Sequence, residues 1–336
     1  MLLLSLQFLV LAACVLGCGI VLSRSADALG RILGLGGSMA GFLLLAGATS
    51  LPELVMSTHA ARLGEPSMAV GDLLGSCLFN LLILGVLDLV SRSKERMLSS
   101  RSAMHGLSAM AGIVLAAIAG GGVVLGVMRP PATWPAWWPQ WIGPTSLLLL
   151  LAYVTCLKVI LADVVTPLEP ASDPADEPDP RRDRNALLSY IAATVALLLV
   201  GPPTAAVAIR FAEQTGLGGT FVGTTFVAAM TSLPEVVTTW VALRMKAPDL
   251  AVGNVLGSNA FNLVAIAAVD AMSLGPLLAE AGLVHAMTAC CVILVTAVAS
   301  LGLLSRSERR IGLFEPDACA VVTLSIAGFA IVYALG

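Results

Sequence analysis

Two glutamates, Glu53 and Glu235, stand deep inside apolar stretches of this sequence, and no Lys or Arg lies in the middle of either stretch to balance them. An ionised carboxylate at the centre of a bilayer costs at least about 2.5–3.5 kcal/mol on insertion scales, so the missing counter-charge must be a proton or a bound cation. Each acid follows a proline, Pro52 and Pro234. A proline inside a helix cannot donate to the carbonyl four residues back, which frees the carbonyls of Ala48 and Met230. Broken membrane helices are tolerated where they line a cavity, and their bare carbonyls and hydroxyls coordinate ions there. Thr49, Ser50, Thr231 and Ser232 bring hydroxyl oxygens to the same two breaks. The pairs Thr49 with Glu53 and Thr231 with Glu235 are spaced i, i+4 and share a helix face.

The following apolar stretch in each place adds Ser76 with Asn80, and Ser258 with Asn262, again at i, i+4. Gly71 with Gly75, and Gly253 with Gly257, make small-residue faces on which helices approach closely. Two carboxylates with hydroxyl, carboxamide and carbonyl oxygens form a hard ligand set, suited to Ca²⁺ or Na⁺ and not to Zn²⁺ or Cu⁺. Two ionised glutamates match one Ca²⁺, whereas three Na⁺ leave an excess positive charge. Mutually exclusive occupancy by the two ions predicts coupled, electrogenic antiport.

These residues are arranged twice. With Thr49 set over Thr231, TSLPELVMSTHAARLGEPSMAVGDLLGSCLFNL lies on TSLPEVVTTWVALRMKAPDLAVGNVLGSNAFNL without a gap, and 18 of 33 positions are identical. Such self-similarity governs the architecture. The chain has 336 residues, 58% hydrophobic and 12% charged, with a mean hydropathy of +0.94. That is far from the roughly 25% charged composition of a soluble domain. It excludes a soluble enzyme, and a net charge of −3 offers no basic surface for nucleic acid.

A bilayer-spanning helix needs roughly 20 apolar residues. Ten spans are predicted, near residues 2 to 22, 32 to 59, 69 to 90, 103 to 128, 143 to 161, 186 to 208, 218 to 243, 251 to 272, 281 to 304 and 317 to 335. With both termini outside, only Arg62, Arg129 and Arg210 of the 18 Lys and Arg fall on the outer side, as the positive-inside rule requires. Trp134, Trp137, Trp138 and Trp141 then read as an aromatic belt at the outer interface. Five spans separate the two copies, an odd number, so they cross the membrane in opposite directions. This is an inverted-topology repeat, whose shared site is expected near the midplane. The expected fold is therefore an all-α membrane protein of about ten helices. A first five-helix repeat covers residues 1–165, a cytoplasmic acidic and Pro-rich linker 166–185, and a second, inverted repeat 186–336.

The doubled TSLPE at Thr49–Glu53 and Thr231–Glu235, with GSxxxN at Gly75–Asn80 and Gly257–Asn262, resembles the sodium/calcium exchangers of the cation/calcium antiporter superfamily in their compact prokaryotic ten-helix form. The similarity is strong over residues 32 to 91 and 217 to 272. The resemblance implies that Glu53 and Glu235 bind Ca²⁺. It further implies that Thr49, Ser50, Ser76, Asn80, Thr231, Ser232, Ser258 and Asn262 complete Na⁺ and Ca²⁺ sites, with the backbone carbonyls of Ala46 and Ala228 as Na⁺ ligands. It implies alternating access by sliding of the first and sixth helices, and a multi-pass location in a prokaryotic inner membrane. The expected activity is Ca²⁺ extrusion driven by Na⁺ entry, with exchange of H⁺ for Ca²⁺ or another divalent cation as the alternative, and neither a cofactor nor an obligatory protein partner is expected. Departures from the family pattern fall at Ala48, Met230, Asp72 and Cys77, the last two replacing common asparagines that the second copy keeps as Asn254 and Asn259.

Other chemistry-bearing residues have plainer explanations. The seven cysteines lie within spans as small hydrophobes, and His59, His105 and His285 are not spaced as a metal site. Asp88 and Asp270 repeat at the same offset near span ends, where solvation or loop cations explain them. The acidic run Asp173, Asp176, Glu177, Asp179 lacks calcium-loop spacing.

Overall fold

With no water to satisfy backbone polar groups, apolar stretches of this length can cross a bilayer only as helices or in a closed barrel. The computed structural model describes residues 2–90, 103–135, 137–139, 142–165, 180–214, 227–273, 275–304 and 316–335, and these are helical almost throughout. The elements are α1 (Leu2–Ile32), α2 (Gly37–Thr49), α3 (Leu51–Arg62), α4 (Pro66–Val90), α5 (Ala103–Met128), α6 (Pro144–Val165), α7 (Pro180–Gln214), α8 (Val227–Thr231), α9 (Leu233–Arg244), α10 (Pro248–Met272), α11 (Val284–Leu304) and α12 (Pro316–Leu335).

Eight of these helices, together with the bent pair α2 and α3, are long and apolar enough to cross a membrane. The expected span 218 to 243 is seen only as α8 and α9, because residues 215–226 lie outside the described residues. Most of the expected linker, with its acidic run, also lies outside them. The rest of the linker differs from expectation. Helix α7 begins at Pro180, so residues 180–185 are helical, with Pro180 at the helix start and Asp183 in the first turn complementing the helix dipole.

Both predicted breaks are present. Helix α3 starts from Ser50 at φ −89°, ψ 3°, and α9 starts from Ser232 at φ −82°, ψ 11°, with Pro52 and Pro234 in the first turns where a missing N–H does no harm. The first break bends the chain by 41°. A feature not read from the sequence is the π-helical turn Ala40–Leu45 within α2. There the Ala46 N–H is shared between the carbonyls of Gly41 and Leu43, and the Leu44 carbonyl accepts the hydroxyl of Tyr190 on α7 at 2.8 Å.

The core is α4 and α10, each packed on the broken helices, while α1, α6, α7 and α12 present most of their length outward. Helices α1 and α7 lie against one another. Close approach of α2 to α10 depends on glycine. A Cβ on Gly253 would strike the Ser38 carbonyl and a Cβ on Gly257 the Phe42 carbonyl, so backbone meets backbone there. In the first repeat a Cβ on Gly71 would meet the His285 ring instead, at 2.9 Å.

Asp270 is a correction to the sequence reading. It is wholly buried, and its carboxylate accepts the backbone N–H of Gly143, at 2.7 Å, and of Leu277. Leu277 opens the short helix Leu277–Glu280 and Gly143 directly precedes α6, and amides at helix starts lack partners of their own, so this acid ties two helix starts to α10 and does not meet solvent or loop cations. Between α5 and α6, Trp134 and Trp138 donate their indole N–H groups to the carbonyls of Arg129 and Ile142, and Trp137 packs edge-on to Trp138. Trp141 lies outside the described residues.

Candidate cation site

The side chains expected at the site are buried, and those at the two breaks bond across the repeats. Glu53, Glu235, Thr49, Ser50, Ser76, Asn80, Ser232, Ser258 and Asn262 are fully buried, and Thr231 is nearly so. Helices α2/α3 and α8/α9 bring the acids and hydroxyls, while α4 and α10 bring the Ser and Asn pairs.

The two breaks are cross-linked. Ser50 Oγ donates to Glu235 Oε1 at 3.1 Å, and Ser232 Oγ donates to Glu53 Oε1 at 3.4 Å. Each serine thus serves the carboxylate of the other repeat and not the one three residues ahead of it. Thr49 Oγ1 lies 3.4 Å from Ser258 Oγ, a further contact between repeats.

After these bonds, the second oxygen of each glutamate has no hydrogen-bond partner, and neither do Ser76 Oγ, Asn80 Oδ1 or the whole carboxamide of Asn262. Buried polar atoms are nearly always satisfied. Unpartnered buried oxygens of this hard type are the kind of donor that Ca²⁺, which takes six to eight oxygen ligands, accepts. Among the described residues, no group of three His, Cys, Asp or Glu side chains gathers as a metal site, so a set of Zn²⁺ type is not built here.

Two predicted ligands fare differently. The Ala46 carbonyl accepts both the Ser50 N–H, at 3.0 Å, and the Thr49 hydroxyl, at 3.3 Å, so its lone pairs are engaged within the break. Ala228 stands in α8, and its backbone is placed one turn before the second break.

Two of the departures noted in the sequence, Cys77 and Asp72, make specific contacts. Cys77 and Asn259 are equivalent positions, and they meet where α4 crosses α10. Asn259 Nδ2 donates to the Cys77 carbonyl at 3.2 Å, and Cys77 Sγ lies 3.6 Å from the Asn259 carbonyl. Asn80 donates to Asn259 Oδ1 at 3.1 Å, which aligns a site residue with this crossing. Asp72 accepts Ser57 Oγ at 2.9 Å and Thr231 Oγ1 at 3.1 Å. Its counterpart Asn254 donates to Thr238 and Thr239, each at 3.0 Å. Sequence reasoning passed over Ser57, Thr238 and Thr239, although the register that superposes the copies sets Ser57 on Thr239.

The histidines stay apart from the site. His59 is exposed, His105 bonds Ser38 and Asp249, and His285 bonds Ser67.

Comparison with known proteins bears on the family and the fold. The sequence profile of the family described as "Sodium/calcium exchanger protein" matches residues 3–162 and 186–335. The putative antiporter CaxA of Alkalimonas amylolytica is 26% identical over 288 residues, covering 84% of this chain and 83% of the relative. The sodium/calcium exchanger MaX1 of Methanosarcina acetivorans is 50% identical over 58 residues, 17% of each chain. A solved structure of the sodium-calcium exchanger NCX_Mj, soaked with Na⁺ and Sr²⁺, superposes with a TM-score of 0.72 over 98% of this chain and 99% of its own, at 19% identity.

Proposed function

Because the chain belongs to the sodium/calcium exchanger family, we propose that it exchanges Na⁺ for Ca²⁺ by alternating access, with Ca²⁺ leaving the cell as Na⁺ enters. The family is one of cation antiporters, so the protein is a transporter and not an enzyme, and the ions are cargo. The observation that carries the Na⁺/Ca²⁺ reading is the pair of buried glutamates, each with one oxygen held by a serine of the opposite repeat and one left without a partner.

In this reading Ca²⁺ sits between the free oxygens of Glu53 and Glu235, and two carboxylates balance its charge. Thr49, Ser50, Thr231, Ser232, Ser76, Ser258, Asn80 and Asn262 divide the remaining coordination, and several Na⁺ occupy the same oxygens when Ca²⁺ has left. The abundance of hydroxyls and carboxamides favours Na⁺ over H⁺ as the coupling ion, since a proton needs no coordination shell. The backbone carbonyls of Ala46 and Ala228 serve Na⁺ in this scheme. For Ala46, that requires the Thr49 hydroxyl to turn away from its carbonyl.

The chain divides into repeats over residues 1–165 and 186–336, with both termini outside an inner membrane. The excess of Lys and Arg on the opposite side supports this orientation. The test is Ca²⁺ uptake into Na⁺-loaded proteoliposomes. Uptake driven by an outward Na⁺ gradient, and lost in both Glu53→Gln and Glu235→Gln, is the expected result. Uptake driven only by an H⁺ gradient would replace Na⁺ with H⁺, and uptake surviving both substitutions would remove the site assignment.

A further inference from the structure

The two copies of the repeat differ in charge at one buried pair of equivalent positions beside the site. Asp72 lies on α4 one turn from Ser76, toward the Pro66 end, and Asn254 lies on α10 one turn from Ser258, toward the Pro248 end. Because the repeats are inverted, these two positions face opposite membrane surfaces. Their bonds differ as well. Both oxygens of Asp72 accept hydroxyl protons, from Ser57 of its own repeat and from Thr231 of the other. Asn254 spends its N–H donors on Thr238 and Thr239 of its own repeat, and its Oδ1 has no partner. Asp72 does not form a three-acid cluster with Glu53 and Glu235, so it is not a third direct ligand of one shared ion.

A buried carboxylate on one side of a low-dielectric site attracts cations more strongly than the carboxamide at the equivalent place on the other side. The bond to Thr231 adds a positioning effect, because that threonine is a proposed cation ligand. Building on the exchange reading, we propose that Asp72 is a positioning and affinity determinant for cations arriving from the Pro66 side, the exterior in the orientation above, and that the Asp72/Asn254 difference makes the two access routes unequal.

The experiment measures the KM for Ca²⁺ separately on the two faces, in right-side-out and inside-out vesicles. Asp72→Asn, which copies the residue tolerated at the equivalent place, is expected to raise KM on the Pro66 face by tenfold or more. A unit charge and a divalent ion about two helical turns apart, at an effective dielectric constant of about 20, supply on the order of a hundredfold before solvent screening reduces it. KM on the other face is expected to stay unchanged, and Asp72→Glu to restore affinity. Asn254→Asp is expected to lower KM on the Pro248 face. A structural defect alone would not split KM by side, so an equal change on both faces, or none, overturns the inference. Should Asp72→Asn fail to fold, Asn254→Asp decides, and an unchanged KM there overturns it. Wild-type protein without cation-driven Ca²⁺ flux would overturn the exchange reading itself, and the inference with it.

Discussion

Crossed serine–glutamate bonding makes a prediction that chain proximity alone would get wrong. Ser50 stands three residues before Glu53, yet its hydroxyl donates to Glu235, 185 residues away. A hydrogen bond to a charged group contributes about 1.5–3 kcal/mol. At 3.1 Å the Ser50 bond is longer than the usual O–H···O distance, so Ser50→Ala is expected to cost about 1.5 kcal/mol, and Ser232→Ala, whose bond is 3.4 Å, under about 1 kcal/mol. The decisive quantity is the coupling. A double-mutant cycle of Ser50→Ala with Glu235→Ala should return about 1 kcal/mol or more, while Ser50→Ala with Glu53→Ala should be additive within about 0.5 kcal/mol. The readout is the free energy of reversible unfolding in mixed micelles, in cation-free buffer, followed by circular dichroism. Coupling of Ser50 to Glu53 and not to Glu235 would refute the crossed arrangement and the interface between repeats built on it.

Two further outcomes follow from the packing. Gly257→Val places side-chain atoms where the Phe42 backbone and the Ala46 methyl now lie, so overpacking should lower stability by about 1–3 kcal/mol, measured by the same unfolding assay; an unchanged stability would mean that α2 does not press on α10. Asp270→Asn exchanges a charged acceptor of two backbone amides for a neutral one, and should destabilise by about 1–2 kcal/mol while leaving the KM for Ca²⁺ intact; a shifted KM would assign this acid to the ion route instead.

Much of the site was legible in the sequence because duplication is a strong filter. A lone Glu in an apolar run has many explanations, but Glu53 and Glu235 recur with proline before them and the Ser and Asn pairs after them. The breaks were legible because proline removes a fixed donor, whatever surrounds it. What duplication could not reveal is which repeat each side chain serves, since alignment pairs Ser50 with Ser232 and says nothing of the crossing. The π-helical turn over Ala40–Leu45 has no composition cue; it lies where α2 packs on α10 and accepts the Tyr190 hydroxyl. Asp270 misled for a related reason: its donors are backbone amides at helix starts, which carry no side-chain signature in the sequence.

The crossed bonds also bear on how the protein is made. Ser232, which serves Glu53, follows it by 179 residues. At roughly 5–20 residues per second, translation leaves Glu53 without that hydroxyl for roughly 10–40 seconds after its own helix has been delivered. The first repeat must therefore persist in the bilayer with neither oxygen of its acid bonded to a side chain, while the second arrives to find a carboxylate already waiting for Ser232. Assembly of the two halves is thus an ordered event in biogenesis, with the N-terminal repeat as the template on which its inverted copy closes.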